Sequence, residues 1–488
     1  MRQISLAKQI ENRITELGGK RFIESYQPSW EKWLQNKGLT IDHKNNRVPT
    51  YMAIKEIKSS TINITKSHIH FIFSALVKIL NKTLSDNDLK NSFFDCLLPQ
   101  EIELCDLGRL PNLSHVAGRI DGVLNPHKIS PKNSIEIPKI IEFNTNTAEG
   151  RIYHHVLMEG MVRLLNDLEL EAPKQLTALS SSALWQAWQW LLQQYQTLPQ
   201  TINTPTIAIV YEKGYAEKEA EIAPTAEYLK QWSTPLGINV ITGDYRDIDQ
   251  SQDGVWFLDG TPFQIVWRNA GPGNEGILET PFAKLLTQPP IHTFVGSDIV
   301  GRLLGIKSLL AQLWNPENDH LFTTNEKNAI RLFIPWAAII KDGKGVLPSG
   351  KHTKDIIQWI ATHKDELVIK PQRGSYGQDV TIGVQSSPSQ WDKALSQAIH
   401  GHCIVMNYCQ IPQIRLAEAD PLNQWKVTMK NCFFDCNFYF QGKNQETLIP
   451  WSRTSDSRIT NLGIERDDGT PNGGVILSME EISPPMQK

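Results

Sequence analysis

The chain has 488 residues, 40% hydrophobic and 21% charged, with a formal net charge of −3. That size and apolar content suit a globular chain of two or three domain-sized units, and the near-neutral balance gives no electrostatic reason to expect a nucleic-acid partner. No apolar run approaches the roughly 18 residues of a membrane span, the amphipathic N-terminal stretch lacks the core of a secretory signal, and the six cysteines form no CxxC pair. The expectation is a cytoplasmic protein with reduced, buried thiols and no membrane partner. Cys432 and Cys436 share a face of a predicted strand, but no second pair at zinc spacing supports them.

Residues 1–115 read as a mainly helical N-terminal region. Ile4–Leu17 and His68–Asn81 have helical apolar spacing, and the polar stretch Gln35–Val48 reads as an exposed loop. Whether this region contacts a substrate or supports the rest is left open by its sequence.

Val116–Glu149 is the most informative stretch. Two strand-like runs carry polar groups where a buried strand is normally apolar: Arg119 and Asp121 in the first, Glu142 and Asn144 in the second. Each pair is spaced i, i+2 and so shares one face of its strand. The segment between them, Asn125 to Glu136, is rich in Pro, Asn, Ser and Lys and reads as a hairpin connection. Two arrangements fit. Arg119 pairs with Glu142 as an ordinary ion pair while Asp121 caps a turn, or two carboxylates and an amide form a hard-oxygen site suited to Mg²⁺ beside an anion-binding arginine.

A small polar turn, Thr145–Gly150, then leads to predicted helices at Ile152–Leu168 and Ala183–Gln194, the second carrying Trp185, Trp188 and Trp190 as core residues. Thr206–Tyr211, Ala216–Trp232, Ile238–Thr242 and Phe263–Trp267 alternate strand and helix, which predicts a small parallel α/β unit over 201–300. The stretch Gly271 to Gly276 has GxGxxG spacing but opens no helical pattern, so it is read as a loop and not a dinucleotide site. Leu304–Trp314 reads as a helix with Lys307 near its start, a position where a cation opposes the helix dipole and can serve an anion.

An apolar strand ends in Lys370-Pro371, followed by a glycine-bearing turn, Gly374-Ser375-Tyr376-Gly377, and an alternating strand at Val380–Gly383. This is no P-loop, yet such a hairpin can lay backbone N–H groups over phosphates within reach of the lysine. Ser389–His400 reads as a helix and Cys403–Gln410 as a buried strand, with Met406 and Tyr408 where backbone groups could meet a flat heterocycle. Two strands over Gln424–Phe440 and one at Thr447–Trp451 precede Ser452 to Asn461, where Arg453 and Arg458 stand among small hydroxyl residues as a candidate anion loop. Residues 476–488 are expected to be a frayed tail.

The carboxylate–amide hairpin, the lysine with its glycine loop, and the late arginine together resemble the ATP-grasp ligases. Their order resembles the circularly permuted branch typified by the synthetase domain of glutathionylspermidine synthase, because Glu142-Phe143-Asn144 precedes Lys307 and Lys370. Gly118-Arg119-Ile120-Asp121 resembles the family's GR-x-D strand, Ile306-Lys307-Ser308 with Trp314 its lysine-bearing helix, and Lys370-Pro371 with Gly374 and Gly377 its phosphate loop; Arg453 matches its late arginine. The resemblance is discontinuous over about 115–465. It departs at Ser375-Tyr376, where the family carries Arg-Glu, with Arg373 as a substitute contact.

The resemblance implies a mixed α+β and α/β ATP-grasp-like fold: a metal-binding hairpin with helices over 116–200, the α/β unit, and ATP-binding lobes over 301–475. It implies an ATP-dependent carboxylate–amine ligase acting through an acyl phosphate on small-molecule acid and amine substrates. ATP and Mg²⁺, as two ions, are the implied cofactors. Asp121, Glu142 and Asn144 would hold metal, and Lys307 and Lys370 the α- and β-phosphates. Arg119 and Arg453 would act on the reacting phosphoryl group, and Gly374, Ser375, Gly377, Met406, Tyr408 and Arg458 would bind the nucleotide. A catalytically silent ATP-binding protein and a phosphotransferase that stops at phosphorylation are the alternatives.

Overall fold

The computed structural model describes residues 4–39, 49–105, 113–130, 133–146, 150–214, 216–271, 273, 276–340, 343–372, 379–399, 403–442, 444–460 and 473–481. Among them no helix is long and apolar enough to cross a membrane. The fold is mixed α+β, built on three larger sheets.

The central sheet has eight strands. Its main path runs Thr50–Ile57, Gly473–Glu480, Asn444–Ser455, Asn437–Gln441, Ala117–Ser130 and Asn133–Asn144. The hairpin Gln413–Asp420/Lys426–Phe434 attaches to the strand Asn444–Ser455. Ile120, Leu124, Ile140 and Phe143 are buried in one core with Ile69, Ile72 and Phe73 of the helix Ser59–Ser85. The Phe73 ring lies 5.4 Å from Phe143 and 4.7 Å from Phe440. One face of the hairpin is thus committed to the core, which leaves Arg119, Asp121, Glu142 and Asn144 on the other.

The second sheet is parallel, in the order Phe294–Gly296, Ile265–Arg268, Thr206–Tyr211, Asn239–Asp244, with the helix Ala216–Ser233 as a crossover. This is the expected α/β unit plus a short strand, Phe294–Gly296, that was too brief to show a period. The third sheet is antiparallel: Ala337–Ile339, Cys403–Asn407, Leu367–Pro371, Thr381–Ile382. The helices Leu6–Glu16, Lys20–Asn36, Arg151–Asp167 and Ala183–Gln196 contribute Ile10, Trp30, Leu164 and Trp188 to a second core.

Several expectations need correction. Residues 125–130 and 133–136 are not a loop: they continue the two strands, pairing Asn125 with Ile137 and His127 with Ile135. The polar residues there belong to an exposed extension of an edge hairpin, where composition and strand pairing do not conflict. Residues 476–480 are not frayed; they lie in the strand Gly473–Glu480, inside the sheet, parallel to Thr50–Ile57 and antiparallel to Asn444–Ser455. The region 1–115 is helical but gives the central sheet one strand, Thr50–Ile57. The single helix expected at Leu304–Trp314 is two, Ile299–Leu304 and Ser308–Gln312, broken at Gly305. The exposed loop expected at Gln35–Val48 falls mostly outside the described residues, as do Thr147 to Glu149 of the turn before Gly150.

Candidate active site

The two hairpin strands pair with Arg119 opposite Asn144 and Asp121 opposite Glu142, so the four polar side chains do share one face. A Cβ on Gly118 would lie 2.8 Å from both Asn144 O and the Phe440 ring, so glycine is what lets the backbones close beside Arg119. Thr145 donates to Gly301 O at 2.7 Å, and a Cβ on Gly301 would stand 2.2 Å from Thr145 O. The exit of the hairpin is thereby clamped to the helix that leads into Lys307.

Asp121 is the hub. Its carboxylate accepts from Arg119 Nε at 2.6 Å and Nη2 at 3.0 Å, from Asn144 Nδ2 at 2.8 Å and from Arg453 Nη2 at 2.8 Å. Burial alone would raise this carboxyl, but the two guanidiniums outweigh it and hold it below the usual range. The ordinary Arg119–Glu142 pair considered from sequence is not what forms; Arg119 pairs with Asp121, and Asp121 caps no turn.

Glu142 instead meets Lys307, Oε1 to Nζ at 2.7 Å. Lys307 is buried at the break between its two helices, and its backbone N–H donates to Gln372 O at 3.3 Å, which ties it to the strand carrying Lys370. Lys370 is buried too and donates to Ile141 O at 3.4 Å. Burial pushes its ammonium down; Glu142 opposes the shift and Lys307 adds to it. The expected metal and lysine residues are therefore brought together, with both lysines against the second hairpin strand.

Arg453 is not in a loop, as its hydroxyl-rich neighbours suggested. It lies within the strand Asn444–Ser455 and is locked by a residue the sequence reading missed. Asp435 accepts from the Arg453 backbone N–H at 2.6 Å and from its Nε at 2.8 Å, and from Thr460 Oγ1 at 3.0 Å. A lone aspartate inside Cys432-Phe433-Phe434-Asp435-Cys436 was the available signal.

Met406 is buried in the strand Cys403–Asn407; it pairs with Val368 and so shares a face with Ile404 and Lys370. Arg458 stands apart from the Asp121 hub, its guanidinium 5.6 Å from the ring of Tyr408 and 5.7 Å from that of Phe433. Arg373, Gly374, Ser375 and Gly377 lie outside the described residues. Among the described residues no three His, Cys, Asp or Glu side chains gather as a metal group. The oxygen set here is two carboxylates in adjacent register plus an amide whose nitrogen faces Asp121, which fits a hard cation more than a zinc-type ion.

Arg268, also missed, joins the parallel unit to the site. It is buried and donates to Ser297 O at 2.5 Å, Ala270 O at 2.7 Å, and Asn146 O and Oδ1 at 2.5 and 2.9 Å. Burial lowers its guanidinium to about 10, with Asp298 opposing. Arg268→Met should destabilise the fold by about 2–4 kcal/mol in urea titration, since several buried carbonyls lose their donor, and Arg268→Lys should recover only part because it lacks the fork.

No described protein family matches the chain, and no curated protein matches it. Among solved structures it is similar to the apoform of a glutathione synthetase like-effector (GSS30) from Globodera pallida. The two are 9% identical over 94% of this chain and 97% of that one, with a TM-score of 0.57. A shared fold follows from that likeness. D-alanyl-alanine synthetase A from Vibrio cholerae O1 biovar eltor is also similar, at 13% identity over 48% of this chain and 67% of that one; its TM-score of 0.27 is too low to add to the comparison.

Proposed function

We propose that the protein is an ATP-dependent carboxylate–amine ligase of the ATP-grasp type, with the circularly permuted motif order described above. The observation that supports it is the meeting, on one sheet face, of Arg119, Asp121, Asn144 and Arg453 with Glu142, which is paired opposite Asp121 and bound to Lys307, and with Lys370 at the neighbouring Ile141 carbonyl. Among the described residues, the cations Arg119, Arg453, Lys307 and Lys370 gather around the carboxylates of Asp121, Glu142 and Asp435. A buried cluster that brings four cations together is suited to a polyanion such as a nucleoside triphosphate.

In this reading Mg²⁺ held by Asp121, Glu142 and the amide oxygen of Asn144 would supply charge neutralisation between the β- and γ-phosphates. The chain's own residues do the rest. Lys307 and Lys370 hold the phosphates from the side of the second hairpin strand. Arg453, kept rigid by Asp435, and Arg119 face the equatorial oxygens of the phosphoryl group as it passes to the substrate carboxylate. The carboxylate oxygen bonds to the γ-phosphorus as ADP leaves; the amine nitrogen then bonds to the acyl carbon, phosphate leaves, and the nitrogen gives up a proton. The glutathione synthetase-like fold supports a ligase but does not name the acid or the amine.

The test is phosphate release with ATP and Mg²⁺ against a matrix of carboxylic acids and amines. Release that requires one acid and one amine together supports the ligase. ADP formation with the acid alone, with no phosphate released and a stable acyl phosphate left, replaces it with a phosphotransferase. Nucleotide binding with no turnover on any pair replaces it with a silent binding protein.

A further inference from the structure

Between Asp121 and Gly122 the pairing of the hairpin slips: Asp121 faces Glu142, but Gly122 faces Ile140 and Val123 faces Lys139. Ile141 is left unpaired as a bulge. Side chains alternate faces along a strand, so an unbulged strand would send Lys139 away from Glu142; the extra residue turns it to the same face. Lys370 donates to the carbonyl of that bulged residue.

Lys139 is half-buried, and its ammonium donates to Leu332 O at 2.5 Å. Among the described residues no carboxylate lies within ion-pair reach of it. Burial pushes the ammonium down, and only the Cys409 thiol opposes. The same thiol, raised by burial to about 11, is in turn opposed by Lys370 and Lys139. Asn125, on the same hairpin face, donates to Gln410 O at 3.4 Å and holds that segment over the sheet. Lys139 and Lys370 thus meet at the same short stretch of the second hairpin strand, Lys139 as part of it and Lys370 through the Ile141 carbonyl, and a desolvated ammonium with no carboxylate in reach among the described residues is suited to an anion.

We propose that Lys139 is a third phosphate-binding lysine, contacting the α-phosphate of the nucleotide. The proposal rests on the nucleotide reading of the site. Strand rise places Lys139 roughly 7–10 Å along the hairpin from Glu142, away from the transferred phosphoryl group and toward the strand that faces the base. The bulge is the device that turns it there.

The experiment is calorimetric binding of ATP, ADP, AMP and adenosine to the wild type, Lys139→Met and Lys139→Arg, with melting of each ligand-free protein alongside. In Lys139→Met the affinity for ATP, ADP and AMP should fall by about 10- to 100-fold, with adenosine unchanged and Lys139→Arg retaining most of the affinity. The ligand-free Lys139→Met protein should melt close to wild type, because removing a desolvated charge offsets the lost hydrogen bond to Leu332 O. Unchanged affinity for ATP, or an equal loss for adenosine and AMP, would overturn the α-phosphate role. A lower melting point with unchanged affinities assigns Lys139 to holding Leu332 alone. Wild-type protein that binds none of the four ligands overturns the nucleotide reading itself, and this proposal with it.

Discussion

Glu142→Gln is expected to lower nucleotide-dependent phosphate release by roughly 10²–10³-fold, about 3–4 kcal/mol of transition-state stabilisation. Glutamine has nearly the shape of glutamate and keeps an oxygen for Lys307, which Glu142 meets at 2.7 Å. On the proposed ligase reading, what it loses is the negative charge that would let one side chain serve both the lysine and a divalent cation. The cost to folding should be modest, about 1–2 kcal/mol, because Lys307 is buried and its pair with Glu142 is weakened. The loss should appear in kcat more than in KM, and supplying Mn²⁺ in place of Mg²⁺ should not restore it. Steady-state kinetics with a melting curve on the same preparation checks this; a rate within a factor of three of wild type would remove Glu142 from the mechanism.

Asp121→Asn should act in the opposite proportion, on folding first. The carboxylate is buried and answers two guanidiniums, so its replacement leaves Arg119 and Arg453 short of a counter-charge where water does not reach. Truncating one partner of such a group costs about 3–5 kcal/mol. The carboxyl is held below its ordinary value in the fold. A depressed carboxyl stabilises above its unfolded pKa, about 3.9, and the contribution disappears as pH falls through the folded value. The gap between wild type and variant in urea titration should therefore be full at pH 7 and narrow steadily below about pH 4. A gap that stays constant over that range would mean that the charge of Asp121 is not what holds the cluster.

Much of this arrangement was legible in the sequence because strand alternation is a strict rule. Polar residues at 119 and 121, and again at 142 and 144, had to share a face wherever the hairpin formed, and they do. The parallel unit was equally readable from its alternation of short apolar runs and a long helical one. What alternation could not give was register across distant segments. Asp435 and Arg453 are 18 residues apart and meet because Asp435 sits at the turn where the chain enters the neighbouring strand. The strand holding Arg453 looked like a loop because Ser452 and Thr454 are buried hydroxyls, a composition usual in exposed turns. Lys139 was hidden by a bulge, which changes the face of a residue without changing its neighbours in sequence. The strand Gly473–Glu480 was masked by the polar, proline-rich residues that follow it.

That last strand bears on how the molecule is made. It lies between Thr50–Ile57 and Asn444–Ser455, so among the described residues the earliest strand of the central sheet takes its strand pairing from the latest one. During synthesis, residues 50–57 must wait for more than four hundred others before their partner emerges, and until then they present an open edge. The parallel unit pairs strands much closer in sequence and can form long before. The side-chain cluster that gathers Asp121 and Arg453 is thus among the last features to appear. Holding factors that cover exposed strand edges should bind the nascent chain throughout that interval, and release it once residue 480 has paired.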